Sequence, residues 1–393
     1  MREEDKFFLL PKAQIYTKEY VIKRTRWLNN YTGTNLYHII RFIDNCENFK
    51  GYIENLIGTI QIPLGIAGPL KINGQYAKGL FYVPLATTQS TLVRSYDRGM
   101  VILTKSGGVN TLVLKDEIHI SPVFFMNNIT QAKMFTLWIV KNFEKIKKEA
   151  EKTTSYGKLL RIRPWIIGKK VFLSFYYSTG DAMGLNIIVI ATDRACRYIS
   201  EKTKTKFYLR SNLSSDKKAS FFNFIDGYGK EVLAEATIPK EIITQYLNTT
   251  PQEIYNFWHS AVLGSIQSGM IGINAHFANG LAAIFAACGQ DVASIANAHL
   301  GIGECDVTEK GDLYITLKVP CLPIGTVGGA TSLPAQSECL KIIGCFGAGK
   351  ANKFAEIIGA TLLGGEVSII AALAGGYFAK AHIDARKRKL NEI

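Results

Sequence analysis

The hydrophobic and polar positions divide the chain into stretches of different character. Residues 1–50 are polar and aromatic, and the apolar positions of segments 18–26 and 34–43 recur with helical spacing. This pattern predicts a small helical N-terminal region. Residues 51–121 alternate apolar and polar positions between Gly and Pro, as in IGTIQIPLGIAGPLKING at 57–74. For this stretch we predict short strands joined by tight turns.

Residues 122–208 have the pattern of a compact α+β unit. Segment 130–153 has an apolar face and a face rich in Lys and Glu, which predicts one helix. Segment 170–177 predicts a strand, and the Gly-containing loop 178–181 leads into a second helix that ends at Glu201. We interpret this unit as an insertion into a larger domain formed by residues 51–121 and 209–393.

From Tyr208 onward the chain is rich in Gly, Ala and Ile. Thr250 and Pro251 predict the start of a helix, because Thr is a favoured N-cap and Pro a favoured first residue. The apolar segment 261–287 contains Gly264, Gly269, Gly272 and Gly280. Small residues allow close helix approach, so this segment is predicted to be a central helix packed on several sides.

Segment 357–378 is long and apolar enough to imitate a membrane span. It contains five glycines, and Glu366 lies near its middle, where a charge costs a few kcal/mol in a bilayer. We therefore predict a helix buried in a large core and expect no membrane association. The N-terminus, MREEDK, is too charged to begin a signal peptide.

The composition limits the classes of function that the chain can have. Hydrophobic residues make up 47% and charged residues 20% of the chain, which is ordinary for a globular protein. The net charge of +14 fits a plain basic protein or one with an anionic ligand, such as a nucleotide, coenzyme A or an acidic carrier protein. No zinc-finger spacing or aromatic RNA-binding signature is present, so we expect no nucleic-acid partner. The seven cysteines show no CxxC spacing, which disfavours structural zinc and disulfides and favours a reducing cytoplasm.

Two motifs are set aside. Segment 344–351, GCFGAGKA, nearly matches a phosphate-binding P-loop, but Ala351 lacks the hydroxyl that holds magnesium. A glycine loop that ends a helix is the preferred interpretation. The histidines share no metal-ligand spacing, so we expect no metal site and interpret a lone histidine as structural; those considered are His119, His259, His276 and His382.

Four segments carry candidate chemistry: PLATTQSTLVRS at 84–95, TGDAMGLN at 179–186, SDKK at 215–218 and ACGQD at 287–291. The second can surround an anion with backbone N–H groups, or it is a glycine turn in which Asp181 is an N-cap. The third places Lys217 beside Asp216, which provides a cation for a developing oxyanion or simply forms a surface charge cluster. Each segment alone leaves both interpretations open.

Together the four segments resemble class I 3-hydroxy-3-methylglutaryl-CoA (HMG-CoA) reductases, over roughly residues 50 to 385. Further matches are ENLIG at 54–58, which corresponds to the family's dimerisation motif, SGG at 106–108, NAHFAN at 274–279 and GTVGGA at 325–330. The resemblance implies a helical N-terminal region and a large domain around a central helix. It also implies an inserted ferredoxin-like small domain that binds NADPH or NADH, and an active site at the interface of a homodimer or higher homo-oligomer.

The resemblance also implies roles for individual residues in the reduction of a thioester to an alcohol by two hydrides. Lys217 would stabilise the carbonyl oxygen, Asp291 would hydrogen-bond Lys217, and His382 would protonate the departing thiolate. The implied cofactor contacts are Asp181, Ala182, Met183, Gly184, Leu185 and Asn186, with Tyr156 and Lys158. The implied substrate contacts are Ser95, Arg210, Asn212, Asp216, Lys218, His276 and Asn279.

Several positions depart from the family pattern. The catalytic Glu of the PLATTEG motif is Gln89, which has nearly the same shape but cannot release a proton. Loss of a general acid typically costs ~10²–10⁴ in rate, here mainly in the step from aldehyde to alcohol. Ile120 occupies the position of a family Arg that binds the substrate carboxylate. Arg210 occupies the position of a family Ser near that carboxylate, and Val101 occupies that of a family Arg that binds coenzyme A phosphates. The TRFGKL motif linked to NADPH appears as TSYGKL at 154–159, without its Arg.

These departures surround one site, so we expect a redox enzyme with a changed substrate in a specialised biosynthetic pathway. The substrate would be an acyl thioester of coenzyme A or of an acyl carrier protein, and Gln89 would only position it. The alternatives are a non-redox enzyme that cyclises or condenses thioesters through an enolate, and a catalytically silent homologue. An ordinary mevalonate-producing reductase, in which a neighbouring acid replaces the Glu, is also left open.

Overall fold

The computed structural model describes residues 15–41, 45–379 and 383 and has the α+β architecture that the sequence predicts. The helices are α1 (Lys18–Thr32), α2 (Tyr37–Ile40), α3 (Leu92–Lys105), α4 (Ile129–Lys141), α5 (Phe143–Glu151), α6 (Leu185–Thr203), α7 (Phe221–Asp226), α8 (Lys240–Leu247), α9 (Pro251–Gln267), α10 (Phe277–Ala287), α11 (Ile295–Ala298), α12 (Pro334–Ile342) and α13 (Ala351–Ala374). The strands are β1 (Leu64–Asn73), β2 (Lys78–Ala86), β3 (Asn110–Ile120), β4 (Val123–Phe125), β5 (Lys158–Ile167), β6 (Lys170–Ser178), β7 (Phe207–Tyr208), β8 (Gly229–Ile238), β9 (Ile302–Val307) and β10 (Leu313–Leu322).

Strands β1 and β2 form an antiparallel pair, and the other eight strands form one sheet. The order in this sheet is β7-β4-β6-β3-β8-β10-β9, with β5 paired to β6. Strand β3 joins the two halves of the sheet. Its first part, from Asn110 to Glu117, pairs with β8, and its last residues, Ile118 to Ile120, pair with β6.

The elements from β4 to β7 follow the order β-α-β-β-α-β, with α4 and α5 together in the first helical position. The strands lie in the spatial order β7-β4-β6-β5, so the first strand pairs with the third and the fourth, as in a ferredoxin-like unit. Residues between Ile118 and Ile199, with Tyr228 and Cys321, form a hydrophobic core separate from the larger one.

Helix α13 is the central helix of the large core and packs against α3, α9, α10 and strand β8. In the described part of the chain it is the helix long and apolar enough to cross a membrane, but 83% of its apolar window is buried within the protein. The prediction of a buried core helix at this place is confirmed. Its closest neighbour is α3, where a Cβ on Gly99 would collide with the Gly364 carbonyl, so the two backbones are in direct contact.

Several predictions from the sequence were wrong in detail. The predicted central helix at 261–287 is two helices, because α9 ends at Gln267 and α10 begins at Phe277. Gly269 between them has a φ of 73°, which no regular helix contains. Segment 130–153 is likewise two helices, α4 and α5, separated at Asn142. The stretch 51–121, for which we predicted strands and turns, contains the 14-residue helix α3, and strand β5 was not predicted.

Two local predictions are confirmed. Thr250 caps α9 by accepting a hydrogen bond from the Glu253 N–H, and Pro251 is the first residue of the helix. Gly344 follows the end of α12 with a φ of 63°, as expected for a glycine that ends a helix.

Candidate active site

The loop that carries Lys217 follows a short 3-10 turn, Asn212–Ser214. Ser215 and Lys217 both have positive φ, 49° and 56°, which is uncommon for residues with a side chain. Asn223 of α7 holds this conformation, because its side-chain amide donates to the carbonyls of Ser215 and Lys218, each at 2.7 Å. The loop therefore has a strained backbone fixed by a buried side chain, as is common at functional sites.

The ammonium group of Lys217 lies 2.6 Å from Oδ2 of Asp291. The other carboxylate oxygen, Oδ1, accepts a hydrogen bond from the Ala293 N–H at 3.0 Å, so the carboxylate is fixed from two sides. Both side chains are about one-third exposed, which leaves the Lys217 ammonium accessible to a ligand. The sequence predicted this pair only through the resemblance, since its members are far apart in the chain.

The charged residues around Lys217 are mostly engaged with one another. Arg210 forms an ion pair with Asp216, and the Lys218 ammonium donates to the Asp216 carbonyl at 3.2 Å. Asn212 begins the 3-10 turn and is exposed. Arg210, Asp216, Lys217 and Lys218 therefore form one group at the rim of the loop, and their substrate contacts remain predictions.

Loop 179–184 connects β6 to α6 and contains the predicted cofactor residues. The Asp181 carboxylate accepts hydrogen bonds from three backbone N–H groups at the start of α13: Gly349 at 2.7 Å and Lys350 and Ala351 at 3.0 Å each. Partial burial favours the neutral acid, but these donors and the Lys230 ammonium outweigh it and hold the pKa of Asp181 below its usual value. The interpretation of Asp181 as an N-cap is therefore wrong, because the N-cap residue of the following helix α6 is Gly184. The Asp181 carboxylate instead binds N–H groups at the start of the distant helix α13.

The N-terminus of α6 is available to a ligand. Its N-cap residue is Gly184, with a φ of 86°, and no side chain in the described part of the chain caps the helix. Ala182, Met183 and Leu185 are half-buried around this end, and Asn186 is exposed. An uncapped helix N-terminus presents free N–H groups and a partial positive charge to an anion.

The turn with Tyr156 and Lys158 lies beside this helix end. A Cβ on Gly157, between them, would lie 2.9 Å from the Ile187 side chain in the first turn of α6. Tyr156 is 78% exposed, and Lys158 is paired only loosely with Glu151, at 3.8 Å. The structure thus brings the predicted cofactor residues together, and the uncapped helix with an exposed aromatic and a cation suits a phosphate-bearing nicotinamide cofactor.

The predicted substrate residues Ser95 and His276 contact the central helix α13. Ser95 Oγ is 3.0 Å from Ser368 Oγ, and the His276 ring is 2.8 Å from the Gly365 carbonyl through Nε2. Burial lowers the pKa of His276, so the ring is neutral at pH 7. The Asn279 N–H donates to the His276 carbonyl. His276 is buried, in line with the general expectation that a lone histidine is structural, and its contact with substrate remains a prediction.

The positions that the sequence analysis expects to depart from the family pattern lie in different surroundings. Gln89 is exposed between β2 and α3, and its side chain has no hydrogen-bond partner among the described residues. Ile120 is fully buried in the smaller hydrophobic core, and Val101 is half-buried on α3. His382, the predicted acid for the thiolate, lies outside the described residues.

Three residues shape the site that the sequence reasoning did not single out. Asn223 lies within eight positions of the carbonyls that it binds but belongs to no motif. Glu366 acts on backbone groups about 90 positions away in the chain. Glu366 accepts from the N–H groups of Ala275 and His276, at 2.7 Å and 2.9 Å. Gln290 lies within the ACGQD segment, directly before Asp291, and its side chain is buried.

In the described part of the chain, no cluster of three or more His, Cys, Asp or Glu side chains could hold a metal ion. A cavity of about 680 Å³ lies between α9 and strands β9 and β10 and is lined by Trp258, His259 and Lys318 among others. Lys217 and Asp291 do not line it.

Comparison with known proteins gives a consistent assignment. The family model described as hydroxymethylglutaryl-coenzyme A reductase matches residues 20–387. The HMG-CoA reductase of Methanocaldococcus jannaschii is 45% identical over 368 residues, which cover 91% of each chain. The enzyme of Pyrococcus horikoshii is 44% identical over 370 residues, 91% of this chain and 89% of that protein.

Solved structures agree on the fold. The HMG-CoA reductase of Streptococcus pneumoniae superposes with a TM-score of 0.68 at 19% identity, covering 82% of this chain and 87% of that one. A class II structure from the same organism, bound to NADPH, gives a TM-score of 0.69 at 18% identity over 83% of this chain and 79% of that one. With identities above 40% to relatives of almost the same length, the chain belongs to the HMG-CoA reductase family of oxidoreductases.

Proposed function

We propose that this chain reduces an acyl thioester at the Lys217–Asp291 pair. The reductant is a nicotinamide cofactor, and we favour NADPH over NADH. The observation that carries the proposal is the 2.6 Å contact between these side chains on a strained, accessible loop. Family membership supports the reaction class, since relatives of nearly the same length are HMG-CoA reductases. The NADPH-bound S. pneumoniae structure, which shares the fold, supports the choice of cofactor.

In this mechanism Lys217 stabilises the negative charge that develops on the thioester oxygen as the carbonyl carbon is attacked. Asp291 keeps the ammonium group in place through the 2.6 Å ion pair. When bound, the cofactor supplies the hydride. Residues 182–186, at the uncapped end of α6, and the turn with Tyr156 and Lys158 would hold it. His382 would protonate the leaving thiolate.

We further propose that the acyl part of the substrate differs from hydroxymethylglutarate. Three observations support this: Gln89 cannot donate a proton, the Ile120 side chain is buried in a core, and Arg210 is paired with Asp216. Position 120 therefore offers no cation to a substrate carboxylate, and the charge of Arg210 is already paired with Asp216. The thioester would be carried by coenzyme A or by an acyl carrier protein, in a specialised biosynthetic pathway.

We also propose that the chain works as a homodimer or a higher homo-oligomer in the cytoplasm. Several apolar side chains that follow the ENLIG segment are exposed, including Ile60 at 85%, Leu64 at 55% and Ile66 at 50%. Exposed apolar side chains of this kind are typical of an interface between subunits. The seven cysteines are free and buried, as suits a reducing compartment. Light scattering of the wild type and of Ile60→Glu tests the oligomer, which the added charge should dissociate.

The reaction is tested in two steps. NADPH and NADH are first titrated against the protein by fluorescence, and absence of binding by both would rule out the redox mechanism. Acyl-CoA and acyl-carrier thioesters, HMG-CoA included, are then added while the nicotinamide absorbance and the free thiol are followed. Cofactor oxidation with thiol release supports the proposal, whereas thiol release alone indicates the non-redox alternative. No reaction with any thioester indicates a silent homologue.

The Lys217→Met variant provides the matched test of the site. We expect turnover to fall at least about 10²-fold, because the charge that stabilises the oxyanion is lost. The control is Lys152→Met, which removes an exposed lysine paired with Glu149 on α5. Equal activities of the two variants would place the reaction elsewhere.

A further inference from the structure

The side chain of Gln290 connects two turns of the large domain. It is 8% exposed, and its carbonyl oxygen accepts from the Gly325 N–H at 2.9 Å. Its NH₂ group donates to the carbonyls of Gly325 at 3.0 Å and Cys288 at 2.8 Å. The opposite orientation of the amide would set its oxygen against two carbonyls, so the network fixes which atom is which.

On one side of Gln290 lies the catalytic pair. The Gln290 N–H donates to the Phe285 carbonyl at the end of α10, and Gly289 has a φ of 66°. A side chain on Gly289 would collide with the Ala330 carbonyl, so this turn has little freedom. Asp291 follows directly and contacts Lys217. Any shift of Gln290 is therefore passed to the carboxylate that orients Lys217.

On the other side lies the cofactor loop. The N–H groups of Thr326 and Val327 donate to the Asp181 carbonyl, at 2.8 Å and 3.3 Å. A Cβ on Gly325 would lie 2.6 Å from the Met183 nitrogen, so the Gly325 turn touches the loop backbone directly. The position of the loop is thus tied to the position of Gly325.

We propose that Gln290 is a positioning residue that fixes the distance between the Lys217–Asp291 pair and the cofactor loop. Among the described residues, it is the side chain that hydrogen-bonds both the Cys288–Asp291 turn and the Gly325 turn. The inference rests on the proposed function, because a fixed distance matters only if cofactor and substrate react across it. Misplacing reacting groups by about 1 Å costs about 10²-fold in rate.

The test uses Gln290→Met, which keeps the length but makes no hydrogen bond, and Gln290→Glu, which keeps the acceptor. The matched controls are Gln252→Met and Gln252→Glu, because the Gln252 amide donates to Asn256 on the exposed face of α9 and to no other described residue. We expect kcat of both Gln290 variants to fall about 10- to 100-fold, with KM changed less than about 3-fold. A structural defect would instead lower the folded fraction and leave kcat per folded molecule unchanged.

Gln290→Glu should recover part of its kcat at low pH, which would not happen if Gln290 acted only through packing. An ionised carboxylate repels the carbonyls of Cys288 and Gly325, but a protonated carboxyl group can donate to one of them. The ratio of its kcat to that of the wild type should therefore rise as the pH falls. A ratio that is independent of pH, or a kcat within about 2-fold of the wild type, would overturn the proposal.

Amide hydrogen exchange keeps the test independent of turnover. In the free protein, Gln290→Met should speed exchange in peptides 180–186 and 322–328 together, while α13 is unchanged. With NADPH alone, the wild type should gain protection at 286–292 that the variant lacks. Unchanged exchange in both peptides would contradict the inference even if the wild type reduces thioesters. Conversely, coupled exchange without any turnover would contradict only the proposed reaction.

Discussion

The carboxylate of Asp181 accepts the backbone N–H of Ala351 at 3.0 Å, across 170 positions of sequence. A residue of the loop after β6 thus caps the central helix α13. The cap joins the cofactor loop to the most buried helix of the molecule, and it occupies the glycine-rich segment that resembles a P-loop. That segment therefore binds an anionic group, which is the Asp181 carboxylate of the same chain.

Replacing Asp181 with Asn should destabilise the fold by about 1 kcal/mol at pH 7, because the amide oxygen cannot satisfy three N–H donors. The folded pKa of Asp181 is lowered, so its stabilisation is present above the unfolded value near 3.8 and is lost below it. The wild type and Asp181→Asn should therefore converge in acid. Urea denaturation at pH 7 and pH 3 measures this. Asp193→Asn, which removes an exposed partner of Arg197, is the control.

Glu366 should make the protein less stable as the pH rises. Burial raises its pKa to about 7, although the N–H groups of Ala275 and His276 favour the charged form. The folded pKa lies above the unfolded value of 4.5, so stability is lost between these two values as the pH increases. Glu366→Gln mimics the protonated acid and removes this loss.

The stability of Glu366→Gln relative to the wild type should increase by roughly 2–3 kcal/mol from pH 4.5 to pH 8. Denaturant titrations across this range measure the difference. A constant difference would mean that Glu366 is ionised throughout, held by its two backbone donors. Glu356→Gln is a useful comparison, because Glu356 is also buried on α13 and accepts from the N–H groups of Gln75, Tyr76 and Ala77.

His119 should make the protein less stable as the pH falls. Burial lowers its pKa to about 4, with Lys115 and Arg161 adding to the effect and Asp226 opposing it. Both ring nitrogens lack a hydrogen-bond partner in the described part of the chain, and the ring contacts Phe222 and Tyr228. The stability that depends on a neutral ring is present above pH 6.5 and is lost as the pH falls to about 4.

His119→Phe keeps the aromatic contacts and removes the titrating group. The variant should be about as stable as the wild type at pH 7 and more stable at pH 4, by roughly 3 kcal/mol. Thermal or urea unfolding at the two pH values checks this, with the exposed His259→Phe as the control. Equal acid sensitivity of His119→Phe and the wild type would show that other groups dominate unfolding in acid.

Gln89→Glu tests the proposal that the substrate differs from HMG-CoA. If the substrate has changed, HMG-CoA reduction should stay within about 10-fold of the wild type, because Ile120 still offers no cation to the substrate carboxylate. Restoration by ~10²–10⁴, the usual contribution of a general acid, would identify the chain as an HMG-CoA reductase that lacks only its acid. Coupled oxidation of NADPH is the measurement, and Gln252→Glu is the control.

The sequence alone determined the family, the α+β class, the start of α9 and the burial of the helix around Glu366. These features follow from motif order, from capping residues and from local hydrophobicity, which are properties of neighbouring residues. The association of Lys217 with Asp291 came from the resemblance, and the structure supplied its distance.

Only the tertiary structure decided which helix is central, which helix Asp181 caps and which backbone groups Gln290 and Glu366 bind. Between α9 and α10 the N–H groups of Ala275 and His276 donate to Glu366, a contact that no local pattern indicates. A buried polar group must find a partner, but sequence does not say which one, since sheet pairing and helix packing bring distant backbone groups into reach. For that reason a local feature such as the Thr250 cap was predictable, and the hydrogen-bond partners of Asp181, Gln290 and Glu366 were not.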